Sequence, residues 1–119
     1  MFVMPRLYGQ ICPVARSLDL LGDRWTLLVV RDLFAGKTRF GDLLASPEHI
    51  PTNILAERLK RLQAAGLIEA VPYSQRPPRH EYRLTQRGHS LGPLLDAVAT
   101  WGLEQFPGTR VTPRTRPSA

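Results

Sequence analysis

With 119 residues, a net charge of +6 and a pI near 10.4, the chain has room for one hydrophobic core and a surface that suits anionic partners. Its single cysteine excludes an internal disulfide, no His or Cys cluster has metal-ligand spacing, and no apolar run approaches the ~18 residues of a membrane span. The first residues lack a signal-peptide pattern, so a cytoplasmic protein is expected.

The opening segment carries Phe2, Val3, Leu7 and Tyr8, too apolar for a free tail, while Pro5 and Gly9 argue against a helix. An arm over residues 1–11 that packs on a second subunit fits these side chains. Residues 12–106 are expected to form one domain. A helix is predicted from Pro13 to about Leu21, with proline in its first turn, Gly22 at its end and Val14, Leu18 and Leu21 on one face. Asp23 is placed to cap a second, almost wholly apolar helix over residues 24–35. Trp25, Leu28, Leu33 and Phe34 of that helix are expected in the core, with Arg31 and Asp32 on its margin. Thr38 is placed to cap a short helix from Arg39 to Leu44 that turns Phe40, Leu43 and Leu44 inward, and Ser46 to His49 is a turn. The next helix opens at Pro51 or Thr52 and stops at Gly66. Its spacing puts Leu55, Leu59 and Leu62 on the inner face and Asn53, Glu57, Lys60 and Ala64 on the outer one.

Two strands are predicted next, residues 68–71 and 79–84, joined by a turn over 74–78 whose flanks carry arginines. Thr85 is placed to cap a long helix running to about Phe106, with a kink at Pro93 and an apolar stripe of Leu91, Leu94, Leu95, Val98 and Trp101. The stripe either closes the chain's own core or, being wider than so small a core needs, joins two subunits; the second reading is preferred. Residues 107–119, rich in Pro, Thr and Arg without periodicity, are expected to be a disordered basic tail.

The expected fold is therefore mainly α with a small β-hairpin wing: a winged helix-turn-helix that dimerises through its N- and C-terminal helices. Its second helix suits a major groove about 12 Å wide, and the wing reaches backbone or minor groove. The basic residues Arg58, Lys60, Arg61, Arg76, Arg79, Arg83 and Arg87 oppose only Glu69 and Glu81 between residues 58 and 87, so the charge excess sits on this module. Double-stranded DNA is the expected partner, read by a homodimer on two half-sites. An enzyme fits less well, because His49, His80 and His89 fall in a turn, a strand and a helix start with no phosphate loop nearby; no cofactor is expected. RNA binding would call for a platform of stacking aromatics, and the hairpin has only Tyr73 and Tyr82. The alternatives kept are a winged-helix protein–protein adaptor and a non-specific nucleic-acid-binding protein.

Several segments in this order carry a family resemblance: Cys12 to Val14, the run LGDRWTLLVVRDLF from Leu21 to Phe34, RFGDL from Arg39, IPTNIL from Ile50, Arg58-Leu59, AGLI from Ala65, and YRLTQRG from Tyr82. Together they resemble the HxlR family of bacterial transcriptional regulators over roughly residues 12–102. The resemblance implies a MarR-like winged helix-turn-helix, a homodimer joined through terminal helices, and an inverted-repeat operator bound as repressor or, in some relatives, activator. It also implies, for some members, sensing of electrophiles or redox state by a cysteine at the position Cys12 matches. The Arg- and Pro-rich tail lies outside the shared pattern.

For the DNA-binding surface, Thr52 and Asn53 stand at the start of the recognition helix, and Asn53 can pair bidentately with adenine. Thr52 is either a cap or a base contact. Lys60 lies further along the same face, and Glu57 either accepts from cytosine or, the preferred reading, pairs with Arg61 four residues on. Arg39 and Lys37 are assigned to phosphate, and Arg76 and Arg79 to backbone or a narrow minor groove. His80 and Arg83 are equally consistent with solvated strand residues. Phe2, Leu7, Tyr8, Leu91, Leu94, Leu95, Val98 and Trp101 are assigned to the dimer interface. Cys12 precedes a helix whose N-terminal field favours the thiolate, helped if Arg16 reaches back, and is either a sensor thiol or a small buried hydrophobe. An apolar space at the dimer junction has room for a small-molecule effector, which nothing in the sequence identifies.

Overall fold

The computed structural model describes residues 11–111. The N-terminal arm, with Phe2, Leu7 and Tyr8, and residues 112–119 of the tail lie outside the described residues.

Helix α1 spans Pro13–Leu21 with its proline in the first turn, as the sequence predicts. Of its expected inner face only Leu21 is buried, while Val14 and Leu18 are exposed on the surface of this chain. Asp23 then accepts from the Trp25 and Thr26 backbone N–H groups at 2.8 and 3.0 Å, which holds residues 23–25 in a turn and delays α2 to Thr26–Phe34. Within α2, Val29, Val30, Leu33 and Phe34 are buried, whereas Trp25 and Leu28 are only half-buried. Asp32 is not marginal, as its sequence neighbours suggest, but buried, because its carboxylate accepts from Ser46 and Arg31.

Helix α3 covers Phe40–Leu44. Thr38 does not cap it: the Thr38 carbonyl accepts from the Tyr82 N–H at 2.7 Å, a backbone bond to the wing, and α3 begins one residue beyond Arg39. Helix α4 covers Thr52–Ala64 and turns Leu55, Leu59 and Leu62 fully into the core. Its end follows from Gly66, whose φ of +74° is open to a residue without a Cβ. Gly66 donates to Gln63 O and Leu67 to Leu62 O, both at 2.9 Å, which satisfies the last carbonyls and starts the chain toward the wing.

The wing is an antiparallel pair, β1 (Ile68–Gln75) and β2 (Pro78–Leu84), in register from Ile68 opposite Leu84 to Gln75 opposite Pro78. Both strands outrun the predicted ones; β1 takes in Pro72 because a two-stranded ribbon leaves an edge where no N–H is required. An irregularity between Pro72 and Ser74 leaves Tyr73 without a register partner.

The predicted kinked helix is two helices. Helix α5 is one turn, Gln86–His89, and α6 runs from Gly92 to Gln105 with Pro93 in its first turn, where a missing N–H is no loss. Thr85 caps α5 as expected, accepting from Gly88 N–H at 3.1 Å, and also donates to Gly66 O at 2.6 Å. Gly88 lets α5 approach closely, since a Cβ there would stand 2.1 Å from Leu67 O. The core thus lies between α2, α3, α4 and the wing base, with Leu91 and Leu95 packed against it. The remainder of the α6 stripe, Leu94, Val98 and Trp101, faces outward.

Candidate nucleic-acid interface

On α4, Thr52, Asn53, Glu57 and Lys60 are all exposed. Thr52 is helical, with Pro51 at the N-cap and no side-chain cap bond, so the capping alternative for Thr52 does not hold. The predicted Glu57–Arg61 pair is absent. Glu57 bonds to Arg58 instead, while Arg61 Nη2 reaches Asp23 Oδ2 at 2.5 Å and Thr26 Oγ1 at 3.3 Å. Arg61, expected at the DNA, is turned toward Asp23 in this structure; its Nε is buried without a hydrogen-bond partner among the described residues. Arg58 Nε also donates to Asp23, at 3.0 Å.

Asp23 consequently receives two backbone N–H groups, the Thr26 hydroxyl and two guanidinium groups, and it ties the start of α2 to the recognition helix. Burial pushes its carboxyl up, but the bonds from Thr26, Arg61, Trp25 and Arg58 outweigh that and hold it well below the usual carboxylate range. A second brace holds the turn before α4. Arg31 donates from Nη1 and Nη2 to the two Glu48 oxygens at 2.9 and 2.8 Å, and the same contact holds Glu48 below its ordinary pKa. Lys37, expected beside a phosphate, donates to Ser46 Oγ at 3.0 Å within this brace. Between them the two braces fix where the exposed face of α4 sits.

Arg39 is half-exposed beside the wing. Its Cζ lies 4.1 Å from the Tyr73 ring centroid, and its Nε stands 3.6 Å from Glu81 Oε2. Arg83 Nη2 bonds to Glu81 Oε1 at 2.9 Å, and chiefly that bond lowers the Glu81 pKa. Arg39, Phe40, Tyr73, Arg79, His80 and Tyr82 line an open groove of about 340 Å³. Arg76 and Arg79 are exposed at the wing tip.

Away from this module, Cys12 is a free, partly exposed thiol at the N-cap of α1. Arg16 meets it only through its backbone N–H, 2.9 Å from Cys12 O, and makes no ion pair among the described residues. Ile11 before α1, Val14 and Leu18 on it, and Val98, Trp101 and Phe106 on or beside α6 are exposed. A cavity of about 260 Å³ opens between α2 and α6, lined by Leu27, Leu28, Phe34, Leu95, Val98 and Val111, the last from the segment predicted as tail. Among the described residues no helix is long and apolar enough to cross a membrane, and no group of three His, Cys, Asp or Glu is placed to hold a metal.

Three features escaped the sequence reading: Asp23 as an arginine acceptor, the Arg31–Glu48 brace and the Tyr73–Arg39 stack. All join residues distant in the chain, and no local spacing pointed to them.

The family model for HxlR-like helix-turn-helix proteins matches residues 20–109, and the chain belongs to that family. Its class is the winged helix-turn-helix, now seen in the hairpin that follows α4. Among its relatives is Rv3095, an uncharacterised helix-turn-helix-type transcriptional regulator of Mycobacterium tuberculosis (strain ATCC 25618 / H37Rv), 47% identical over 94 residues, which are 79% of this chain and 59% of that protein. The chain therefore spans about three-fifths of that relative's length. Two solved structures are similar: PA1607, described as a candidate transcription factor (41% identity, TM-score 0.73, 92% of this chain and 84% of that one), and the redox regulator HypR in its reduced form (30%, 0.74, 81% and 95%).

Proposed function

We propose that this chain is a sequence-specific DNA-binding transcriptional regulator that acts as a homodimeric repressor on an inverted-repeat operator. The observation that supports it most is one module combining an exposed polar face on α4 with exposed arginines at the wing tip. In this reading Asn53 and Thr52 meet base edges, Lys60 and Glu57 flank them, and Arg39, Arg76 and Arg79 meet phosphate. The exposed apolar residues of α1 and α6 are covered by the second subunit, which would set two recognition helices about 34 Å apart. A regulator of this kind works in the cytoplasm.

The test is a gel-shift titration against the DNA flanking its own gene, from low to physiological salt. Discrete binding that weakens about 10³- to 10⁵-fold between 50 and 200 mM salt fits a dimer neutralising six to ten phosphates. Binding to every duplex alike would point to the non-specific alternative, and no binding to the adaptor.

Cys12 is proposed as a sensor thiol, supported by its partial exposure beside the apolar face of α1 and by the similarity to HypR, a redox regulator. Modification there would shift the placement of the two recognition helices. Cys12→Ser is expected to keep DNA affinity and lose release by diamide; unchanged release would sink the assignment.

A further inference from the structure

Beside the wing a guanidinium is held in place while its outer hydrogen-bonding edge stays open. The Arg39 backbone is fixed by the bond between the neighbouring Thr38 carbonyl and Tyr82 N–H, and its guanidinium by the Tyr73 ring at 4.1 Å. The strand irregularity beside Pro72 frees Tyr73 from cross-strand pairing. The remaining partner is Glu81, whose Oε2 stands 3.6 Å from Nε while its Oε1 accepts from Arg83 at 2.9 Å. Among the described residues its one ion pair runs through Nε, which leaves the Nη1 and Nη2 edge open, and the groove beside it also carries Arg79 and His80. An ordered arginine with free donors in a basic groove matches a phosphate, which accepts two parallel N–H bonds from a planar fork. Because its side-chain freedom is restricted beforehand, less ordering remains for the moment of binding.

We propose that Tyr73 is a positioning residue that holds Arg39 as a fixed fork for one backbone phosphate of the bound duplex. The wing then grips DNA along its flank, beside Arg79, as well as through Arg76 at its tip. The inference rests on the DNA-binding reading above and adds to it a residue with no charge of its own.

The test uses the full chain and a duplex that it enriches from a random-sequence pool, with affinity measured across salt for Tyr73→Phe, Tyr73→Leu and Tyr73→Leu in an Arg39→Gln background. Phenylalanine keeps the ring face and is expected to bind as the unaltered protein does. Leucine is expected to weaken binding about 3- to 10-fold and to flatten the log–log salt slope by up to about 1.8, the share of one phosphate per subunit of the dimer. In the Arg39→Gln background it should do nothing more. Arg39→Lys, which keeps the charge without the fork or the stack, is expected to reproduce the leucine loss and serves if Tyr73→Leu does not fold. Unweakened binding by Tyr73→Leu, or by Arg39→Lys where the leucine variant does not fold, a loss that persists without Arg39, or an equal loss in Tyr73→Phe would each overturn the inference while the DNA-binding reading stands. Failure of the unaltered protein to enrich any duplex would overturn both.

Discussion

Arg58 and Arg61 on α4 and Arg76 and Arg79 on the wing belong to the same basic stretch, yet the fold uses them in opposite ways. The first pair turns inward onto Asp23, with Arg58 Nε and Arg61 Nη2 at 3.0 and 2.5 Å from its oxygens. The second pair stands in solvent at the tip of a hairpin. Net charge counts all four alike. What separates them is an acid 35 residues upstream of Arg58, close only once α2 and α4 have packed together. The inner pair holds α4 and the outer pair stays in solvent, so charges of one sign divide into an internal framework and an exposed set, the latter free for the polyanion proposed above.

The largest way to break that division is to remove its acceptor. Asp23→Ala leaves two half-buried guanidinium groups facing each other and frees two backbone donors, and is expected to destabilise the fold by ~2–4 kcal/mol, measured by urea unfolding. A loss below ~0.5 kcal/mol would mean that Arg58 and Arg61 are as solvated as the wing arginines. Acid asks the same question without a mutation. Asp23 and Glu48 both have folded pKa values below their unfolded ones. Their stabilisation is therefore complete above the unfolded carboxylate range, near pH 4, and is lost as the pH falls through the lower folded values. Unfolding free energy should decline below about pH 4 in the unaltered protein and more shallowly in Asp23→Asn.

A sharper contrast compares the two sets directly. Arg61→Gln is expected to cost ~1–2 kcal/mol in stability and leave the salt slope of DNA binding unchanged. Arg76→Gln with Arg79→Gln should leave stability within ~0.5 kcal/mol and flatten the slope by up to about 3.6, two phosphates' worth from each subunit of the dimer. Exchange of those two signatures would reverse the assignment of framework and interface.

How far the sequence carried these distinctions depended on the range of the interaction. Elements set by local rules were legible: Pro13 and Gly22 bound α1, Gly66 ends α4 and Thr85 caps α5. Where a distant partner competed, the local rule lost. Thr38 has capping chemistry, but its carbonyl is taken by Tyr82 and α3 starts later. Pro93 reads as a kink in a continuous stripe and instead begins a helix, because the chain turns at Ser90 and Leu91 to bring Leu91 and Leu95 onto the core. The same limit governed the site: helical periodicity found the outer face of α4, Asn53 to Lys60, but the i+4 rule paired Glu57 with the wrong arginine. Arg61 was closer in sequence pattern to Glu57 and closer in space to Asp23.

Glu57 offers the smallest test, because it sits where the two sets of charge meet. Its carboxylate is half-exposed and bonds to Arg58, which Asp23 already holds. Exposed pairs of this kind contribute ~0–1 kcal/mol, and Arg58 keeps its stronger acceptor, so Glu57→Gln should change unfolding free energy by less than ~0.5 kcal/mol. Its effect on DNA should carry the opposite sign to every other substitution here: removing a negative charge from the exposed face of α4 is expected to tighten binding to any duplex about 2- to 5-fold at low salt, with the gain screened away toward 1 M. A loss of affinity confined to one duplex would instead identify Glu57 as an acceptor from cytosine, moving it from the border of the framework to base recognition.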